Sequence, residues 1–235
     1  MKNLANAILL TALLVILIPV AGFAQTTYIQ DFEGLAQVDG ALAGDGWFTY
    51  TNIFDAGGNF VGGYGNPAPN NVGNYCDITD GQGGADQEAQ QLVMYSNYWD
   101  GNHGNLDFVV ESNLYQEWPI TAGAGMWYFT FDAKMGDLGG SSEAFAFIKV
   151  LDPGAGWATT HFITADMTNI SDTWMDGVLS IDLTGLEGRI VQIGFMSNAS
   201  NYEPCGVFYD NVAFTDSGVV AIESESWGNV KSMYR

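Results

Sequence analysis

Basic residues are scarce in this sequence. Its 235 residues include 6 Lys and Arg against 27 Asp and Glu, which gives a formal net charge of −21 at pH 7. Nucleic-acid binding rests on basic side chains that neutralise phosphates and release counterions, so this charge excludes DNA and RNA as partners. Disorder is excluded as well, because 47% hydrophobic and 14% aromatic residues are enough to build a core.

Histidines and the motifs of common hydrolases are also scarce. The two histidines, His103 and His161, leave a catalytic triad or a zinc site with few candidate residues. Neither a Gly-x-Ser-x-Gly elbow nor a His-Glu-x-x-His motif occurs. An enzyme would therefore need a carboxylate pair of the kind used in glycoside hydrolysis. The acids that stand on or beside expected strands are Glu111, Glu117, Asp132 and Glu143.

A long apolar run stands at the N-terminus. Leu9 to Val20 follows a charged start and precedes the small-residue stretch that ends at Ala24, which predicts a signal peptide over residues 1–24. We therefore expect cleavage after Ala24 and export to the extracellular space, the cell surface or the periplasm. An uncleaved anchor is the alternative, although the run is short for a bilayer span of roughly 20 residues. Residues 25–216 are expected to form one domain, followed by a linker and tail over residues 217–235.

The hydrophobic period along the body is two, which predicts strands rather than helices. The clearest strands are Trp127 to Lys134, Glu143 to Val150 and Arg189 to Phe195. About ten strands punctuated by Gly, Asn and Asp indicate an all-β fold, an antiparallel two-sheet sandwich. The Gly- and Asn-rich stretch from Ala56 to Gly84 is expected to be a long functional loop.

The two cysteines are Cys76 and Cys205. In an exported chain the compartment permits a disulfide between them. Sequence alone leaves open whether their Cα atoms come close enough to be bridged.

Short motifs at both ends of the body resemble those of a known group of modules. Tyr28 to Gly34 reads YIQDFEG and Gly206 to Val212 reads GVFYDNV. The pair is similar to the first and last strands of jelly-roll carbohydrate-binding modules. The resemblance implies a two-sheet jelly roll whose terminal strands lie near each other, with a structural calcium ion where they meet. It also implies an extracellular polysaccharide or glycan as the partner.

A calcium site is also predicted from the residues themselves. Asp31 and Glu33 are two apart on an expected strand, so both carboxylates should project from one face. Asp210 is the candidate third ligand, and backbone carbonyls would complete the oxygen shell that Ca²⁺ prefers. The alternative is that these acids line a solvated face of a sheet.

Sugar binding needs an exposed aromatic plane beside amide or carboxylate groups, because a pyranose ring offers CH faces and hydroxyl edges. The segment from Tyr95 to His103 carries both among turn-forming residues. The predicted ligand-binding residues are Asn97, Tyr98, Trp99, Asp100 and Asn102, with Trp47 and Tyr64 as secondary candidates. The competing interpretation is that these rings belong to the core or its rim.

The C-terminal tail is a separate element. Glu223 to Arg235 resembles the W-G-x-x-K-x-x-Y-R tails of some secreted bacterial proteins, and its apolar residues recur at helical spacing. It is expected to be a sorting or docking peptide, or else a frayed end.

These observations together predict a secreted, non-catalytic carbohydrate-binding module with a structural calcium ion. The first alternative is a structural or adhesive surface protein that self-associates through its sheet edges. The second is a polysaccharide-active hydrolase or lyase, because two-sheet jelly rolls host enzymes as well as binding proteins.

Overall fold

Two antiparallel sheets of six strands each form a β-sandwich. The computed structural model describes residues 24–70, 75–105 and 107–217. The predicted all-β, two-sheet fold is confirmed, with twelve strands in the described residues where about ten were expected. Residues 1–23 of the predicted signal peptide and residues 218–235 of the predicted linker and tail lie outside the described residues. No helix in the described part of the chain is long and apolar enough to cross a bilayer.

The first sheet has the strand order β10-β7-β12-β5-β4, and β1 also pairs with β12. Its strands are β1 (Tyr28–Gln30), β4 (Cys76–Asp80), β5 (Gln90–Met94), β7 (Met126–Leu138), β10 (Met175–Asp182) and β12 (Cys205–Thr215). The last strand therefore lies between β7 and β5.

The second sheet has the strand order β3-β2-β6-β11-β8-β9. Its strands are β2 (Phe48–Phe54), β3 (Phe60–Pro67), β6 (Val109–Pro119), β8 (Glu143–Asp152), β9 (Ala158–Asp166) and β11 (Ile190–Ala199). One helical turn, α1 (Ala41–Gly44), and two 3-10 turns (Gly101–Gly104 and Pro153–Ala155) lie in the connections.

Alternating side chains from both sheets fill the space between them. On β7, Trp127, Phe129 and Phe131 point inward, as the period of two predicts. Phe129 and Phe131 contact Phe195 of β11, whose ring stacks on Tyr209 of β12 with centroids 3.6 Å apart. This aromatic core fixes how the two sheets face each other, and thereby fixes which side chains face outward.

The stretch from Ala56 to Gly84 is not a single loop, contrary to the prediction. It contains β3, which pairs with β2, and β4, which pairs with β5. The sequence pattern does not predict β3, because the strand is rich in glycine, which has low strand propensity. Gly63 and Gly65 have a packing role there, since the ring of Tyr50 lies against both.

The structure answers the question that the sequence left open, because Cys76 and Cys205 do not form a disulfide. Both thiols are free and buried. Cys76 is on β4 and Cys205 on β12, and β5 lies between those strands. Two interstrand spacings amount to about 10 Å, beyond the roughly 7 Å between Cα atoms that a disulfide can bridge.

Candidate functional site

The outward face of the β3-β2-β6-β11-β8-β9 sheet carries an unusual mixture of aromatic and polar side chains. On β6, Val110 and Leu114 face the core, whereas Glu111, Asn113 and Tyr115 alternate with them and face outward. The register of the ladders places outward side chains of the neighbouring strands beside them in rows. The sheet therefore has a second organised face besides the one that packs in the core.

The middle of this face is more buried than its sides. Asn113, Gln192, Met196 and Phe147 point outward yet expose 7% of their surface or less. The rings on the flanking strands are more exposed: Phe48 and Tyr50 on β2 are 40% and 38% exposed, and Phe162 on β9 is 49% exposed. We call this part of the face, with β6, β11 and β8 in the middle and β2 and β9 at the sides, the trough. Four interstrand spacings give it a width of about 19 Å.

Aromatic rings form one side of the trough. Phe48 of β2 stacks on Tyr115 of β6 with centroids 6.0 Å apart. Tyr50 lies low over β3, because a Cβ atom at Gly63 or Gly65 would stand 3.0 to 3.1 Å from its ring. The glycines of β3 thus allow a flat aromatic surface that larger residues would lift away from the sheet.

Aromatic rings and one cation form the other side. Phe147 of β8 and Phe162 of β9 have centroids 6.0 Å apart. Lys149 Nζ lies 5.0 Å from the first ring centroid and 5.1 Å from the second, within the range of cation–π attraction. Burial lowers the pKa of Lys149, and the charge of Glu111 partly opposes that shift.

Amide and carboxylate groups lie between the two aromatic sides. Glu111 Oε1 accepts hydrogen bonds from Asn52 Nδ2 at 2.7 Å and Asn113 Nδ2 at 3.0 Å. The side-chain oxygens of Asn113 and Asn198 have no hydrogen-bond partner in the described residues. Buried polar atoms are normally paired, so these two oxygens are exceptions, buried acceptors that the described residues leave unsatisfied.

The polar side chains of the predicted loop from Tyr95 to His103 are mostly used in hydrogen bonds within the protein. Asp100 Oδ1 caps the 3-10 turn by accepting from Asn102 N, and Asp100 Oδ2 accepts from Tyr64 Oη at 2.7 Å. Asn97 Nδ2 donates to Tyr64 Oη at 2.9 Å. Burial alone would raise the pKa of Asp100, but the hydrogen bonds from Asn102 and Tyr64 lower it below its ordinary value. The structure brings these four predicted residues together as a loop scaffold.

The remaining predicted rings fall in three different settings. Trp99 is 56% exposed, as a ligand platform requires. Tyr98 donates through Oη to the carbonyl of Glu203 and lines a separate cavity. Trp47 as a ligand-binding residue is a wrong prediction, because it is fully buried in the core and stacks on Phe195.

The strand geometry behind the calcium prediction is also wrong. β1 ends at Gln30, so Asp31 and Glu33 lie in the turn that follows it. Between them Phe32 takes a φ of 59° and is fully buried, which breaks the alternation of a strand. Glu33 Oε1 accepts from the backbone nitrogens of Ala89 and Gln90.

Asp210 is the unusual member of the predicted calcium set. It is 1% exposed, and its Oδ2 has no hydrogen-bond partner among the described residues. Burial raises its pKa to about 8, and the charges of Asp132, Glu33 and Asp31 add to the shift. In the described ranges, no group of three or more His, Cys, Asp or Glu side chains is already arranged to hold a metal. The orphaned oxygen and its acidic surroundings nevertheless fit a hard cation.

Comparison with known proteins gives structural likenesses only. No family model and no curated protein matches the sequence. A structure of the CBM22-1 and GH10 modules of a Clostridium thermocellum xylanase, complexed with xylohexaose, is 14% identical with a TM-score of 0.44 and covers 81% of this chain, which spans 28% of that one. A family 11 carbohydrate-binding module from the same species, complexed with a mixed-linked tetrasaccharide, is 14% identical with a TM-score of 0.40. The match covers 82% of this chain and 96% of that module. TmCBM61 in complex with galactotriose is 15% identical with a TM-score of 0.37, and the match covers 60% of this chain and 81% of that one. At TM-scores below 0.5 these likenesses identify no ligand for this chain.

The trough escaped sequence analysis although a signal for it exists. On β8, Ala146 and Ile148 face the core while Phe145, Phe147 and Lys149 face outward. A strand that is apolar on both faces, in an antiparallel sandwich, indicates that its second face is also covered or used. The pattern of aromatic residues among turn formers favours the loop from Tyr95 to His103 instead.

Proposed function

We propose that this protein binds an extracellular polysaccharide along the trough without chemically altering it. The observation that carries the proposal is the arrangement of the face, in which amide and carboxylate groups on β6 and β11 lie between aromatic groups on both sides. Aromatic rings cover the CH faces of pyranose rings, and amides and carboxylates bond their hydroxyls. A face about 19 Å wide with aromatic rings on both sides suits a chain of sugar rings better than a single small molecule.

The first experiment is a glycan array that compares the protein with two variants. Asn198→Ala removes a trough amide whose oxygen lacks a partner, and Trp99→Ala removes the exposed ring of the loop. We expect binding that Asn198→Ala weakens and Trp99→Ala leaves unchanged. The reverse pattern would place the site on the loop, and the absence of binding to any glycan would contradict the proposal.

A structural calcium ion is part of the proposal. Asp210 Oδ2 would hold it, together with carboxylates of Asp31, Glu33 and Asp132, whose charges already act on Asp210. The support is the buried acceptor without a partner, because an uncompensated buried carboxylate is costly and a bound cation removes that cost. Export, with cleavage after Ala24, completes the proposal and rests on the leader sequence.

Self-association is the second candidate function, and one edge strand favours it. β9 runs from Ala158 to Asp166, pairs only with β8 among the described strands, and is exposed at most positions. Long uncovered edges can pair with another chain. Sedimentation of the protein over a range of concentrations tests this, and a stable monomer throughout would rule it out.

Hydrolysis is the third candidate. Glu111 and Glu143 flank Asn198 in register on the trough face. The two positions are two interstrand spacings apart, about 10 Å, near the separation of the carboxyl groups in inverting glycosidases. Incubating the protein with any glycan it binds and measuring new reducing ends tests this function, and Glu111→Gln would abolish genuine hydrolysis.

A further inference from the structure

A second cavity lies away from the trough and shares no residue with it. It has a volume of about 440 Å³ and is lined by Tyr95, Tyr98, Asp137, Tyr202, Pro204 and Cys205. Three of these six residues are tyrosines and one carries a carboxylate. The polysaccharide proposal does not use any of them.

The three tyrosines form an angled wall. The ring centroids of Tyr95 and Tyr98 are 6.1 Å apart with planes inclined by 41°, and those of Tyr98 and Tyr202 are 6.3 Å apart with planes inclined by 40°. Rings inclined in this way do not make the flat platform that suits a sugar face. They suit a rounded group that meets several rings at once.

The backbone is shaped to hold these rings. Asn201 and Tyr202 both have positive φ, 50° and 58°, in a tight turn closed by the hydrogen bond from Glu203 N to Ser200 O. A left-handed tyrosine is conformationally unfavourable, and stacking on His103, with centroids 5.1 Å apart, holds its ring.

Glycine supports the ring on the other side. A Cβ atom at Gly206 would stand 2.6 Å from the ring of Tyr95, so that ring lies directly against the backbone of β12. Any larger residue at this position would displace the ring or the strand.

The electrostatics of the cavity favour a positive ligand. Asp137 is exposed on β7, and the one ion pair within the described residues joins Arg189 to Asp152, so no Lys or Arg neutralises Asp137. Burial lowers the pKa of His103, which leaves the imidazole behind the wall uncharged at neutral pH. The net charge of −21 adds a long-range attraction for cations.

We propose that this cavity binds a small organic cation, an alkylated ammonium group, between the tyrosine wall and the Asp137 carboxylate. Aromatic faces attract quaternary ammonium groups through the ring quadrupole, and a nearby carboxylate supplies the opposite charge. The thiol of Cys205 lines the cavity as a neutral group, because burial raises its pKa. A neutral sugar could donate hydroxyl hydrogen bonds to the carboxylate, but it would lack the attraction between opposite charges that a cation gains.

Isothermal titration with a charged and an uncharged probe tests the proposal. Choline and 3,3-dimethylbutan-1-ol have the same shape and differ in charge, and we expect choline to bind about tenfold more tightly. Tyr202→Ala and Asp137→Asn should each weaken choline binding about five- to tenfold. Asp39→Asn is the matched control, since it removes one exposed charge near the Gln90 end of β5, whereas the cavity lies beyond the Met94 end. Melting curves would establish that each variant is folded.

Three results would overturn the proposal. These are equal binding of the two probes, an effect of Asp137→Asn no larger than that of Asp39→Asn, and no saturable choline binding at millimolar concentration. Because none of the substituted residues lines the trough, these results leave the polysaccharide proposal untouched. Choline binding that survives in the Asn198→Ala variant would show that the two sites are independent.

Discussion

Removing the ring of Tyr50 should weaken polysaccharide binding by an amount that the structure sets. Tyr50 exposes 38% of its surface, which is about 80 Å² if a tyrosine offers roughly 200 Å². Covering that area with a sugar face stabilises the complex by about 2 kcal/mol at about 25 cal/mol per Å². Tyr50→Ala should therefore raise the Kd about 30-fold.

Affinity electrophoresis or titration with the preferred glycan measures this change, and the melting temperature should move little because the ring is partly exposed. Trp99→Ala is the control, since Trp99 exposes an even larger fraction, 56%, on the loop. If Tyr50→Ala binds like the unmodified protein while Trp99→Ala does not, the assignment of the trough is refuted. If both variants bind normally, a flank other than β2 must contact the glycan, and the estimate from exposed area fails.

Three further predictions concern stability. A chelator should lower the melting temperature by about 5–10 °C if calcium stands at about 100 times its Kd, and Asp210→Asn should remove this sensitivity; identical curves with and without chelator would contradict the calcium proposal. Burial lowers the pKa of His103, so the imidazole takes up a proton at about pH 6.5 in the unfolded chain but only at lower pH in the folded one. Protonation therefore favours the unfolded chain, and the free energy of unfolding falls as the pH drops below that value. Urea unfolding at pH 7 and pH 5.5 should show a smaller fall in the free energy of unfolding for His103→Phe than for the unmodified protein. A reductant should leave the melting temperature unchanged, and Cys76 and Cys205 should react with iodoacetamide only on unfolding, because burial raises the pKa of both thiols; rapid labelling of the folded protein would refute this.

Strands with strict alternation could be predicted from the sequence, and those with glycine could not. The predicted strand from Trp127 to Lys134 lies within β7, since its inward rings alternate with polar residues. β3 has three glycines and no such alternation, and its strand geometry comes from pairing with β2. In β3 the pairing with β2 outweighs the low strand propensity of the glycines.

In the candidate site, too, some features can be predicted from local sequence and others depend on strand pairing. Sequence analysis identifies the exposed ring of Trp99, but its secondary candidates include Trp47, which lies in the core. Phe48 and Tyr115 are 67 positions apart in the chain and meet only through the β2–β6 register. Contacts across strands depend on which strands pair and in which register, and the alternation within a single strand does not reveal its partner.

The position of β12 has a consequence for how the chain is made. It is the last strand in chain order among the described residues, yet it joins β7 to β5 and is the sole partner of β1. A chain that stops before Cys205 would split its sheet into the separate pairs β10–β7 and β4–β5 and leave two open strand edges between them. Open edges promote aggregation, so a ribosome that stops before β12 would release an aggregation-prone chain rather than a smaller folded domain.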